Sequence, residues 1–154
     1  MRIHHRAVVR AAALVAMLVA AACASAPPKP TTTNLTFAAT ADSNPDANGR
    51  ASPVVVRLYQ LKADTAFSAA EFFALYDDEK KALGPELIGR DEFVLAPGQN
   101  HTVQVAMSKD ARFVGMIAAY RDIRNAQWRV VVPAPIRNNA TIRVERARIQ
   151  YSVK

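Results

Sequence analysis

From Leu35 onward, apolar and polar residues alternate at a period of two along most of the chain, the pattern of strands with one buried face. Leu35, Phe37 and Ala39 alternate with small or polar neighbours, so a first strand is expected to start at Leu35. Pro53 opens the clearest strand, Val54 to Leu61, with Val54, Val56 and Leu58 on one face and Val55, Arg57, Tyr59 and Leu61 on the other. Further strands are expected from Arg90 to Leu95, from Thr102 to Met107 after a Pro97-Gly98 turn, and from Arg112 to Asp122. In that last run Phe113, Gly115, Ile117 and Ala119 face one side, and Val114, Met116, Ala118 and Tyr120 the other. Both sets are apolar or small, which marks a central strand covered on both faces. Trp128, Val130 and Val132 form a short strand stopped by Pro133 and Pro135, and Thr141 to Tyr151 is the last. Its apolar phase is even at Ile142 and Val144 but odd at Ala147, Ile149 and Tyr151, which predicts a bulge near Glu145 and Arg146.

The period changes between Ala66 and Gly84. Ser68 with Glu71 three residues on reads as a capping box, and Phe67 with Phe72 as a hydrophobic staple, so a helix is expected from Ala69. Phe72, Leu75 and Tyr76 share its inner face, widened by Phe73. Asp77 and Asp78 then cap a further short turn, which Gly84 and Pro85 end. Successive strands, one helical insertion at about 66–84 and no βαβ alternation predict an all-β fold, a two-sheet β-sandwich occupying residues 35–154.

Ahead of the strands, Arg2, Arg6 and Arg10 precede an apolar run, Ala11 to Ala22, that closes on three alanines. Residues 1–22 thus have the basic, apolar and small-residue regions of an export signal. The run falls short of the roughly 20 apolar residues that a spanning helix needs. Cys23, the only cysteine, follows at once and is similar in position to the acylated cysteine of bacterial lipoproteins, although Ala20 stands where a lipobox usually has Leu, Val or Ile. Plain secretion is the alternative, since Ala20-Ala21-Ala22 and Ala22-Cys23-Ala24 both satisfy an Ala-x-Ala rule. A lone thiol in an oxidising compartment favours lipidation of Cys23. Ala24, rather than aspartate, resembles the Gram-negative signature for the outer membrane, with the acyl chains in its inner leaflet. Residues 23–34, with Pro27, Pro28 and Pro30, have the composition of an extended tether.

Export also changes the charge. The formal +7 includes three signal arginines, and removing them from 20 basic residues leaves 17 against 13 acidic ones, or +4. Nucleic acid is therefore not an expected partner, and a mild bias toward anionic surfaces remains.

The search for catalytic chemistry is negative. His101 is the only histidine past the signal, no Gly-x-Ser-x-Gly or glycine-rich phosphate loop occurs, and the sole cysteine is committed to lipid. No enzyme activity, cofactor or metal is expected. Asp64, Glu71, Asp77, Asp78 and Glu79 read as helix-terminus charges, and Arg143, Arg146 and Arg148 as a solvated strand face. The loop from Ala41 to Ser52 is acidic enough to suggest calcium, but its spacing is wrong: from Asp42 the required glycine falls on Ala47, and from Asn44 the bidentate glutamate falls on Val55. Twelve polar or small residues where a short hairpin would serve point to recognition, with little contribution to stability. A ligand carrier or chaperone-like lipoprotein, with an apolar pocket between sheet and helix, is the competing reading; a hydrolase is a weaker third.

Several blocks together resemble one family: Ser52-Pro-Val-Val-Val-Arg-Leu-Tyr-Gln-Leu-Lys62, Phe67 with Phe72-Phe73-Ala-Leu-Tyr76, Pro97-Gly98, Val114-Gly-Met-Ile-Ala-Ala-Tyr-Arg-Asp122 and Trp128-Arg129. They follow one another as in the type VI secretion outer-membrane lipoprotein, TssJ, over about Leu35 to Val132. The resemblance implies a transthyretin-like sandwich with an added helical element, lipid-anchored on the periplasmic face of the outer membrane. It also implies a partner, the periplasmic C-terminal region of TssM, in a trans-envelope complex that includes TssL. The family's partner contact in the loop between the first two strands maps by location onto Asp42, Ser43, Asn44, Pro45, Asp46, Ala47, Asn48, Gly49 and Arg50. Of these, Asp42, Asp46 and Arg50 are expected to supply complementary charge to the partner.

Overall fold

A computed structural model describes residues 31–136 and 140–153; the signal segment, Cys23 and the stretch to Pro30 lie outside the described residues. Among the described residues eight strands form two sheets: β1 (Thr31–Ala39), β2 (Val54–Leu61), β3 (Leu87–Leu95), β4 (Asn100–Met107), β5 (Phe113–Ala119), β6 (Arg129–Pro133), β7 (Ala140–Val144) and β8 (Ile149–Val153). One sheet has the order β4-β1-β7-β8, the other β3-β2-β5-β6. β1 and β7 run parallel, and the remaining paired strands antiparallel. The architecture is the expected all-β sandwich.

The alternation read from β2 and β5 sorts their side chains into two cores. Val54, Val56 and Leu58 of β2 and Val114, Met116 and Ala118 of β5 face the other sheet and pack with Leu35, Phe37, Ile142 and Val144. On the reverse face Tyr59, Leu61 and Ile117 take Phe67, Phe72, Leu75 and Leu83 from the helical insertion. Each large apolar side chain so buried stabilises the fold by about 1.5–3 kcal/mol. β5 is therefore apolar on both faces because both are covered. Gln60, buried on the inner face, ties the sheets across their edge: its Nε2 donates to Ala106 O (3.0 Å) and its Oε1 accepts from Ser108 N–H (2.8 Å).

Several boundaries differ from expectation. β1 begins at Thr31, not Leu35, because Thr31 to Asn34 pair in register with Met107 to Gln104 of β4. Thr33 is buried in phase with Leu35, so the period of two continues back through residues whose polarity disguises it. β3 starts at Leu87 rather than Arg90, and β5 ends at Ala119 before the Tyr-Arg-Asp segment. The change of phase after Val144 is no bulge. It is a reversal: β7 turns at residues 145–148 and returns as β8, pairing Val144 with Ile149.

The insertion is also divided, into α1 (Thr65–Ala69), α2 (Phe72–Asp77) and α3 (Glu79–Leu83), followed by a 3-10 turn, Gly84–Glu86. No helix starts at Ala69. Ala70 and Glu71 are extended, with ψ of 145° and 156°, and Ser68 is exposed within α1, so the capping box does not form. On one continuous helix Phe67 and Phe72 would point about 140° apart. The break lets both rings enter the same cluster. α1 is capped from a distance, the Glu86 carboxylate accepting from Ala66 N–H at 3.0 Å, while Asp78 caps α3 by accepting from Lys81 N–H at 3.1 Å.

Two contacts fix this insertion on the sheet. A Cβ at Gly115 would lie 2.6 Å from the Phe67 ring, so the missing side chain is what admits the ring. Arg57 lies 4.0 Å over the Tyr76 ring, donates to Tyr76 O (2.6 Å) and to Glu92 (2.6 Å), and stands 3.8 Å from Glu79. Arg90 joins the same two carboxylates, at 3.1 Å to Glu79 and 2.7 Å to Glu92. Glu79 thus serves an ion network rather than a helix terminus alone.

Candidate functional site

The Ala41–Ser52 loop is not a free polar excursion. Ser43 and Asn44 are buried, and Asn44 adopts a left-handed conformation, φ 50°, which asparagine tolerates better than most residues. That conformation lets its side chain join two elements: Nδ2 donates to Pro53 O (2.6 Å) and Oδ1 accepts from Arg121 N–H (2.8 Å). Its own N–H donates to Arg146 O at 3.1 Å. One residue therefore gathers three segments at one end of the sandwich: the β1–β2 loop, the β5–β6 loop and the β7–β8 turn. The β5–β6 loop and the turn are joined again where Gln127 N–H donates to Ala147 O (2.9 Å) and Ile149 N–H to Gln127 O (2.9 Å).

Beyond Asn44 the loop closes on itself. Asp46 Oδ1 accepts from the N–H groups of Asn48 (2.9 Å) and Arg50 (3.0 Å), and Oδ2 accepts from Arg50 Nε (2.8 Å) and Nη2 (2.7 Å). These Arg50 hydrogen bonds hold the Asp46 carboxyl below its ordinary range, with a smaller pull from the Arg121 charge. Gly49, at φ 78°, makes the tight turn possible. Asp42 accepts from the Thr40 hydroxyl at 2.7 Å. Of the three residues expected to supply charge, Asp46 and Arg50 pair with each other within the loop while the Arg50 side chain stays largely exposed, and Asp42 is exposed beside Thr40. Ala47, Asn48, Gly49 and Arg50 form its exposed tip, and Pro45 is half-buried at its base.

Between the gathered segments lies a groove of about 590 Å³ that sequence reasoning missed. Besides Asn44 to Ala47 it is lined by Tyr120, Arg121, Asp122, Arg124, Asn125, Arg146 and Ala147. Asp122 accepts from Asn125 Nδ2 at 3.0 and 2.8 Å. Tyr120 is buried, its hydroxyl has no hydrogen-bond partner among the described residues, and burial raises its pKa. Of the three arginines expected on one strand face, Arg143 and Arg148 pair with Glu145 at 3.7 and 2.9 Å, whereas Arg146 is exposed, lines the groove and has no carboxylate partner among the described residues. The Tyr-Arg-Asp segment was the available signal, hidden by its assignment to a strand.

Elsewhere the candidate chemistry stays dispersed. Among the described residues no group of three or more His, Cys, Asp or Glu side chains is arranged to hold a metal ion. Beneath α2 the aromatic side chains pack on one another: Phe72 stacks on Tyr76 and meets the edge of Trp128, each at 5.3 Å between centroids. Cys23 lies outside the described residues.

A family model described as T6SS-SciN, the type VI secretion lipoproteins VasD, EvfM and TssJ, matches residues 31–148. The chain belongs to this TssJ family. The T6SS lipoprotein TssJ1 of Pseudomonas aeruginosa is 37% identical, with 81% of this chain and 97% of that one covered and a TM-score of 0.76. Serratia marcescens Lip, described as a membrane-bound component of the type VI secretion system, is 29% identical over 81% of this chain and 98% of that one, with a TM-score of 0.72. A chain in a structure described as the T6SS protein TssM C-terminal domain (869-1107) from EAEC is 27% identical, covers 80% and 98%, and has a TM-score of 0.68. No curated protein matches the sequence. The TssJ family is a structural lipoprotein component of the type VI secretion system, and the sandwich described above is the fold this chain shares with its members.

Proposed function

We propose that this TssJ-family protein is lipidated at Cys23, held on the periplasmic face of the outer membrane, and docks the type VI secretion membrane complex by binding the periplasmic C-terminal region of TssM, and through it TssL. The reading has no catalytic step. The observation that carries it is directional. β1 receives the chain from the anchor side at Thr31 and delivers it at Ala39 to the gathered loops. Roughly 26 Å of strand, at about 3.3 Å per residue, therefore separates the anchored end from the loop end. The seven residues between Cys23 and Thr31 add up to about 22 Å if extended as polyproline II. A surface built this way faces away from the bilayer, where a partner crossing the periplasm arrives. The chain matched in the TssM structure, similar to this one along 98% of its length, supports the same partner.

The test uses the full-length chain in detergent and the purified TssM periplasmic region, titrated by calorimetry. Replacing residues 46–50 by a Gly-Ser segment of equal length, with Ser43 and Asn44 kept, should abolish binding while the protein stays folded. Unchanged affinity would remove the loop from the interface. In cells, Cys23→Ser should lose palmitate incorporation and membrane attachment; equal labelling of both proteins would refute the anchor.

A further inference from the structure

We propose that the groove beside Tyr120 receives an acidic segment of the protein partner, with Arg121, Arg124 and Arg146 as the residues that select it; this rests on the docking reading above. The argument is one of unsatisfied charge. The groove's lining carries three arginines and two aspartates. Both aspartates already accept hydrogen bonds from their own loops, Asp46 from Asn48 and Arg50 and Asp122 from Asn125. The ion pairs among the described residues use Arg50, Arg57, Arg90, Arg143 and Arg148, and none uses Arg121, Arg124 or Arg146. All three are exposed, and they come from two different segments, the β5–β6 loop and the β7–β8 turn, that Asn44 clamps together. A concave surface whose carboxylates are already hydrogen-bonded and whose guanidiniums form no ion pair is complementary to a strand or loop bearing Asp or Glu, since a guanidinium fork donates bidentately to a carboxylate.

Topology decides between the two anionic surfaces an exported protein meets. A lipid headgroup would have to reach the groove from the anchored end, yet the groove sits at the other end of β1. The occupant is therefore a protein segment. Arginines on the rim of such an interface set the encounter rate and partner choice, and juxtaposed like charges are strongly disfavoured.

The experiment follows the arginine Nε–Hε signals of the full-length protein in detergent by NMR, on adding hexaglutamate, hexaserine or dihexanoyl-phosphatidylglycerol. Hexaglutamate should shift the signals of Arg121, Arg124 and Arg146, progressively less as salt is added, and hexaserine should not. No shift with hexaglutamate, or shifts with the phospholipid alone, would overturn the proposal. In parallel, Arg124→Glu with Arg146→Glu should weaken TssM binding about a hundredfold with the loop intact, while Arg124→Lys with Arg146→Lys retains most of it. Unchanged affinity of the reversed protein, with binding still lost on replacing residues 46–50, would overturn the groove and leave the docking reading standing. Should TssM bind neither protein, the docking reading fails and the hexaglutamate result alone decides whether the groove is an acidic-segment site.

Discussion

Asn44 should be a far larger contributor to stability than its position in a polar loop suggests. It is 2% exposed, and its side chain satisfies Pro53 O and Arg121 N–H together. Asn44→Ala leaves both groups without their partner; where water does not replace it, each costs about 1–3 kcal/mol. Alanine in the left-handed region adds about 1 kcal/mol over asparagine. The expected loss is about 3 kcal/mol or more, a large share of a domain's stability of roughly 5–15. Asn44→Gly loses the same hydrogen bonds but suits φ 50°, so it should be about 1 kcal/mol less damaging than alanine. Urea denaturation followed by tryptophan fluorescence measures both. Losses under about 0.5 kcal/mol for Asn44→Ala would mean that the three segments hold together without this clamp. An alanine variant no worse than the glycine one would refute the backbone part of the reasoning.

Gly115→Ala should cost about 1–3 kcal/mol in the same denaturation assay, because its Cβ would meet a fully buried Phe67 ring at 2.6 Å; a stabilised variant would show that the ring moves freely. Ser68→Ala should be neutral within about 0.5 kcal/mol and Phe72→Ala should cost about 3–5, since the serine caps nothing and the ring is buried; the reverse order of losses would restore the capping box. The Arg57 hydrogen bond holds the Glu92 carboxyl below its ordinary range, so the pair's contribution is present above the unfolded pKa and lost as pH falls through the lower, folded one. Stability should therefore fall with acid less steeply in Arg57→Ala than in the wild type, and parallel acid profiles would show the pair to be solvated.

The local pattern determined much of this protein by itself. Alternation along Val54–Leu61 and Phe113–Ala119 specified which side chains enter which core, because strand geometry puts successive residues on opposite faces whatever surrounds them. The order of strands, a helical insertion and the family blocks was legible for the same local reason. What only the tertiary structure decided are features whose partners lie far away in sequence. Thr31 to Asn34 become strand because β4 pairs with them; the phase change after Val144 becomes a hairpin because β8 returns on β7. α1 starts ahead of Ser68 and borrows its cap from Glu86, a carboxylate that no local window contains, while the extended Ala70 and Glu71 leave the Ser68 signal without a helix to start. The groove is the extreme case. Its arginines sit in segments about 25 residues apart, among unremarkable surface charges, and become one surface through hydrogen bonds from Asn44 to Pro53, Arg121 and Arg146. Charge is written in the sequence, but whether a charge is already satisfied depends on neighbours in space.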